Sequence, residues 1–191
     1  SFDIATESSS LKFKNQFLIG AETSFKGIWA DLNNNGRLDF GTSEFVSENI
    51  SFNKFRTYQT NLTTNGSIAS ADLNGDGYMD FSIVSINYFS INLGDGKGSF
   101  NSIYEQELPF DVARFNGNIS IIDANNDGIL DISYGNTLVV GGEIDGNKGT
   151  RKYFSTLIRD ESLAAVYWSD MDNDGDLDAV SNLGGGDIFT N

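Results

Sequence analysis

Four nine-residue stretches gather much of this chain's side-chain oxygen: DLNNNGRLD at Asp31–Asp39, DLNGDGYMD at Asp72–Asp80, DANNDGILD at Asp123–Asp131 and DMDNDGDLD at Asp170–Asp178. They align without gaps as D-x-[DN]-x-[DN]-G-x-x-D. Side-chain oxygens fall at positions 1, 3, 5 and 9, and the position-7 carbonyl can add another. Alternating donors converge on one point while the residues between them turn away. Such a donor set suits a hard cation. Calcium takes six to eight oxygens at ~2.3–2.6 Å in irregular geometry, whereas magnesium demands an octahedron and keeps several waters. Glycine at position 6 (Gly36, Gly77, Gly128 and Gly175) permits a sharp turn with positive φ. Position 8 is apolar in every copy, Leu38, Met79, Leu130 and Leu177, and is expected to pin the loop to the structure beneath it.

Counting excludes two other calcium loops. An EF-hand needs a bidentate Glu at position 12, where this chain has Thr42, Ile83, Tyr134 and Ser181. The nonapeptide β-roll pattern is absent, and Gly184–Asp187 (GGGD) is a lone fragment. Asp/Asn/Gly turns between strands are common, but four in phase, each closing on Asp, ask for a further reason. Unscreened, their carboxylates would repel one another. Acids at positions 1, 3, 5 and 9 number 2, 3, 3 and 4 along the chain, so the first loop should be the weakest site and the last the tightest. Four calcium ions would bring the formal charge from −15 to −7.

The elements that hold these loops are strands. Before the motifs stand GIWA, IASA, ISII and VYWS; after them come FGTSEF, FSIVSI, ISYG and AVSNL. These runs are four to six residues long and rich in β-branched and aromatic residues, without a helical period. Further strands are expected at Tyr88–Asn92, Phe100–Tyr104 and Lys152–Leu157, with glycine-rich turns at Gly94–Gly98, Gly141–Gly149 and Gly184–Gly186. The first Asp residues of successive motifs lie 41, 51 and 47 residues apart. Four short strands per repeat of that length is the measure of a propeller blade. The fold class expected is therefore all-β, with four blades of about four antiparallel strands in a single unit over residues 1–191, whether alone or as part of a larger ring.

Composition removes several function classes. The chain has 191 residues, 39% hydrophobic, with neither Cys nor His. Disulfide scaffolds, cysteine nucleophiles and thiolate or imidazole metal sites are out, as is the commonest general base. Acids number 27 against 12 bases, which disfavours nucleic acid and anionic membrane as partners. No apolar run approaches the ~20 residues of a membrane helix. The chain opens on Ser without a basic, apolar leader, as expected of a mature or excised segment.

At these motifs, and at the trailing Leu93–Phe100 (LGDGKGSF), the sequence resembles the FG-GAP/VCBS repeat family of integrin-α-like β-propellers. The resemblance implies calcium in the loop between the first two strands of each blade. Carried over by position, the ligands in the first loop are Asp31, Asn33, Asn35, the Arg37 carbonyl and Asp39. The second loop would use Asp72, Asn74, Asp76, the Tyr78 carbonyl and Asp80. In the third they are Asp123, Asn125, Asp127, the Ile129 carbonyl and Asp131. The fourth offers Asp170, Asp172, Asp174, the Asp176 carbonyl and Asp178. Such propellers usually have about seven blades and this chain has material for four, so a piece of a longer or multi-chain array is expected. Residues 1–20 resemble the later strands of a blade, and Asp187–Asn191 (DIFTN) a third strand.

These readings point to an extracellular or cell-surface, non-enzymatic binding or adhesion module stabilised by up to four structural calcium ions. Its partner would be a protein or a glycan. A subunit of a surface filament, through self-association, and an accessory domain of a polysaccharide-degrading enzyme are the alternatives. Of the 27 acids, 13 lie in the repeated loops, and the remainder form no catalytic motif. Trp29 and Trp168, each two residues before a motif, are expected in the core or between blades rather than stacked on a sugar. Sequons stand at Asn49, Asn61, Asn65 and Asn118.

Overall fold

The computed structural model describes residues 26–51, 54–62, 66–85, 87–108, 118–145, 150–158, 166–181 and 188–189. Residues 1–20, expected to supply strands, and Gly184–Gly186 lie outside them. Among the described residues there is no helix. Four antiparallel sheets follow one another along the chain, each a meander in which sequence neighbours pair. The first holds β1 (Ile28–Ala30), β2 (Asp39–Gly41), β3 (Phe45–Ser51) and β4 (Lys54–Gln59). The second holds β5 (Ser67–Ala71), β6 (Asp80–Val84), β7 (Tyr88–Gly94) and β8 (Phe100–Glu107). The third holds β9 (Ile119–Ile122), β10 (Asp131–Tyr134), β11 (Thr137–Asp145) and β12 (Thr150–Leu157). The fourth shows three strands, β13 (Val166–Ser169), β14 (Asp178–Ser181) and β15 (Ile188–Phe189). The last of these is the third strand expected near the C-terminus.

Each motif joins the first two strands of its sheet, and the register is the same four times. The ninth residue faces the residue just before the first: Ala30↔Asp39, Ala71↔Asp80, Ile122↔Asp131 and Ser169↔Asp178. Side chains on a strand alternate between the two faces of its sheet, and both faces of the second sheet are covered. One apolar cluster joins Leu32 and Val46 of the first repeat to Ile68, Phe81, Ile83 and Phe100 of the second. Another joins Leu73, Val84, Phe89 and Ile91 to Ile132, Tyr134, Val139 and Tyr153 of the third. Stacked rings carry both contacts, with Phe81 and Phe100 centroids 4.3 Å apart and Phe89 and Tyr134 4.5 Å apart.

Two expectations need correction. Gly141–Gly149 is not simply a turn, because β11 runs through Gly141 to Asp145 with a bulge between Gly141 and Ile144. Gly141 is required there by a close approach, since a Cβ would stand 2.7 Å from the Leu130 carbonyl oxygen. Gly94 has the same place in the second sheet, 2.3 Å from the Met79 oxygen. Trp29 is not a core residue either. It is 61% exposed and packs on Phe40 and Phe55, with centroids at 5.1 and 6.5 Å. Its counterparts in the second and third sheets, Ser70 and Ile121, lie opposite Phe81 and Ile132, which are buried against the preceding sheet. The described residues include no sheet before the first. Trp168 is half-buried.

Candidate metal centre

The four loops share one hydrogen-bond plan, built from carboxylates and the backbone N–H groups they can reach. The position-1 Asp accepts through both oxygens. The N–H of position 5 donates to its Oδ1, at 2.9 Å from Asn35, 3.1 Å from Asp76, 3.0 Å from Asp127 and 3.1 Å from Asp174. The position-6 glycine N–H donates to its Oδ2, at 2.6, 2.8, 2.8 and 3.1 Å along the chain. The position-7 N–H donates to Oδ1 of position 5, at 3.0 Å from Arg37, 2.8 Å from Tyr78, 2.8 Å from Ile129 and 3.0 Å from Asp176. These bonds wrap the chain around the side chains of positions 1 and 5 in all four loops.

That wrapping needs two left-handed residues. Position 6 has φ of 81°, 89°, 81° and 101°, and position 4 has φ of 56° at Asn34, 79° at Gly75, 59° at Asn126 and 63° at Asn173. Glycine and asparagine are the residues that visit this region at least strain. The second requirement was readable in the sequence, where position 4 is Asn or Gly in every copy.

Position 9 does more than offer an oxygen. Asp39, Asp80 and Asp131 are fully buried and Asp178 is 1% exposed. In all four loops Oδ2 accepts from the position-2 N–H: Leu32 at 3.1 Å, Leu73 at 2.8 Å, Ala124 at 2.9 Å and Met171 at 2.8 Å. In the first three, Oδ1 accepts from the third strand, from Asn49 at 2.7 Å, Gly94 at 2.9 Å and Gly141 at 2.8 Å. The residue thus ties loop, second strand and third strand together. Each carboxylate oxygen keeps a second lone pair that a cation can use. Burial pushes the Asp80 carboxyl up to about 6, against the pull of the Gly94 and Leu73 N–H groups and with help from Asp76 and Asp72. Asp39 and Asp131 are raised by burial in the same way.

The anchor expected at position 8 sits instead at position 2. Leu32, Leu73 and Ala124 are buried, whereas Leu38 is 58% exposed and Met79 and Leu130 only partly covered. The position-9 carboxylate holds the position-2 backbone in all four loops, and the apolar clusters shared with the next sheet bury Leu32 and Leu73, whereas Met171, with the same bond, is 51% exposed.

The donor sets fit a divalent ion unequally. In the fourth loop Asp170, Asp172 and Asp174 bring carboxylate oxygens within 4.8 Å of one another, all exposed. Asp172 is raised, first by desolvation and then by Asp174 and Asp178. Asp176 lies at position 7 and adds a fifth acid to the loop. In the second and third loops the position-3 amide donates to the position-5 carboxylate, Asn74 to Asp76 and Asn125 to Asp127, both at 2.9 Å. Asn and Asp there already lie side by side. The loops also touch their neighbours. Asn126 donates to Asp176 across 3.2 Å, and Arg151 of β12 donates to the Leu73 carbonyl at 3.3 Å.

A family model matches residues 72–133, from the start of the second loop through the start of β10, and its description is FG-GAP-like repeat. The chain carries an FG-GAP-like repeat. The matched span takes in the second and third loops and the strands between them. Among solved structures, the chain resembles a lectin from Agrocybe aegerita that recognises non-reducing terminal N-acetylglucosamine. The TM-score is 0.51 at 18% identity, covering 81% of this chain and 46% of that one. A second similar structure is the Tc holotoxin pore of Photorhabdus luminescens, with a TM-score of 0.46 at 16% identity, covering 82% of this chain and 8% of the other. The chain therefore spans less than half the length of either. No curated protein matches it. The lectin likeness agrees with the sheets in showing a β-propeller-like, all-β fold.

Proposed function

We propose that this FG-GAP-like chain is a non-enzymatic binding module whose inter-strand loops take calcium as a structural ion, and that it works outside the cell. The observation that carries the reading is the fourth loop, where three carboxylates converge at the place the repeat sets aside for oxygen donors. A divalent ion there would relieve their mutual repulsion and cross-link the two strands the loop joins. Binding of a ligand to the folded state stabilises it by RT ln(1 + [L]/Kd), ~2.7 kcal/mol when free ligand is 100 times Kd. Calcium loops of modest affinity fill only where the ion is plentiful, and extracellular modules work at about 10⁻⁴–10⁻³ M. A calcium-rich compartment is the setting this reading calls for.

The partner we propose is a glycan or a protein held on the scaffold. A lectin of similar fold makes a glycan the first to test, although at 18% identity the likeness speaks for the scaffold alone. Calorimetry with calcium should show binding that Asp170→Ala weakens far more than Asp31→Ala. Absence of calcium binding would defeat the metal reading; equal effects of the two substitutions would defeat the ranking of the loops. A glycan array probed in calcium and again in EDTA tests the partner; no bound glycan in either buffer would leave a protein partner to be sought by pull-down.

A further inference from the structure

The first loop departs from the other three, always toward self-sufficiency. It carries two acids and one base, Asp31, Asp39 and Arg37, whereas the second and third carry three acids and the fourth five, none with a base. Its position-3 side chain also turns elsewhere. Asn74, Asn125 and Asp172 each accept the position-5 N–H through Oδ1, at 2.9, 3.2 and 3.3 Å. Asn33 instead sends its Nδ2 out of the loop to Glu48 Oε1 on β3, at 2.8 Å, and its Oδ1 is buried without a partner. Glu48 is in turn held by Arg56 of β4, whose Nη2 and Nε lie 2.6 and 3.1 Å from Oε2.

A second tie runs beside it. Arg37 Nε donates to the Asn49 carbonyl at 2.7 Å, while the Asn49 N–H donates to Asp39 at 2.7 Å. The residues matching Glu48 in the second and third sheets are Leu93 and Val140, and those matching Asn49 are Gly94 and Gly141. The first sheet alone among these has a side-chain acid and a loop-bound backbone at this place. The guanidinium of Arg37 puts a positive charge in the loop where a cation would need negative ones. The donor set of this loop does not fit calcium as the others do.

We propose that the first loop is a metal-independent copy, clamped by Arg56–Glu48–Asn33 and Arg37–Asn49–Asp39, so that the chain takes three calcium ions and the first sheet keeps its loop without one. The proposal rests on the reading of the other loops as calcium sites. Hydrogen exchange followed by mass spectrometry on the whole chain, in calcium and in EDTA, separates the two. At free calcium about 100 times Kd, chelation should speed exchange in the second, third and fourth loops up to about 100-fold, and in residues 31–39 by less than about twofold. Native mass spectrometry should count three ions. Glu48→Ala should speed exchange in residues 31–39 equally in both buffers, and Glu48→Gln, which keeps an oxygen for Asn33, should recover part of the protection.

If residues 31–39 respond to chelation like the other loops, or four ions are counted, the clamp proposal is overturned while the calcium reading stands. If no loop responds and no ion is counted, the calcium reading falls and takes this contrast with it. If Glu48→Ala leaves residues 31–39 unchanged, the clamp is not what holds them.

Discussion

In the second sheet all five residues of β6, Asp80 through Val84, are buried, because the first sheet covers Phe81 and Ile83 and the third covers Val84. In the fourth sheet the corresponding loop is exposed from Asp170 through Gly175, and its position-2 residue, Met171, is 51% exposed where Leu73 is 4%. The two loops share the motif's Asp and Gly positions and the backbone bonds from positions 2, 5, 6 and 7. The difference teaches that the nonapeptide specifies a conformation, while its stability comes from what lies under it. Where apolar packing is continuous, the loop is held from below. Where it is thin and acids crowd, a cation is the available stabiliser.

Substitutions can break this comparison at several depths. Phe81→Ala removes a fully buried ring stacked on Phe100 and should destabilise the protein by about 3–5 kcal/mol, measured by denaturant unfolding. Leu73→Ala should cost about 2–4 kcal/mol and Met171→Ala, at the same loop position, less than about 0.5 kcal/mol. Similar effects at these two positions would mean that the fourth loop is packed as well as the second. Asp80→Ala leaves the Leu73 and Gly94 N–H groups buried without their acceptor, at about 1–3 kcal/mol for each group that water cannot reach. Asp80→Asn should recover part of that loss. Chelation should lower the melting temperature, and Asp172→Asn should reduce the shift more than Asn74→Ala does. Gly175→Ala should cost about 1 kcal/mol, because φ is 101° and nothing lies within 4 Å of an added Cβ, so only the backbone objects, and Met171→Ala remains the smallest effect expected.

The strands and loops were legible because their causes are local. Ile28–Ala30, Ser67–Ala71, Ile119–Ile122 and Val166–Ser169 end where the runs GIWA, IASA, ISII and VYWS end, since β-branched and aromatic residues beside an Asp/Asn/Gly cluster need no distant partner to be read. The candidate site was legible to the extent that it is a spacing. The first and fourth loops could be ranked by counting charges, and the structure agrees that the fourth collects carboxylates. Three things escaped. Position 8 reads as the anchor because it is the uniformly apolar one, yet Leu32 and Leu73 at position 2 are the residues that neighbouring sheets bury, and no hydropathy pattern displays that contact. Gly141 looked like part of a turn, because a glycine required by a close approach reads the same as one required by φ. No local pattern marks Glu48 or Arg56, since the bond from Asn33 to Glu48 spans 15 residues and Arg56 lies one strand further on.

What the amino-acid order determined alone is an all-β chain with four in-phase, oxygen-rich loops, each bent by its own short-range bonds. What only the packed molecule decided is which face of each sheet is covered, which loop residue is buried, and which loop's position-3 side chain pairs with the third strand instead of its own loop. Those depend on contacts between residues distant in sequence, where burial and hydrogen bonding act through neighbours that the local pattern does not name.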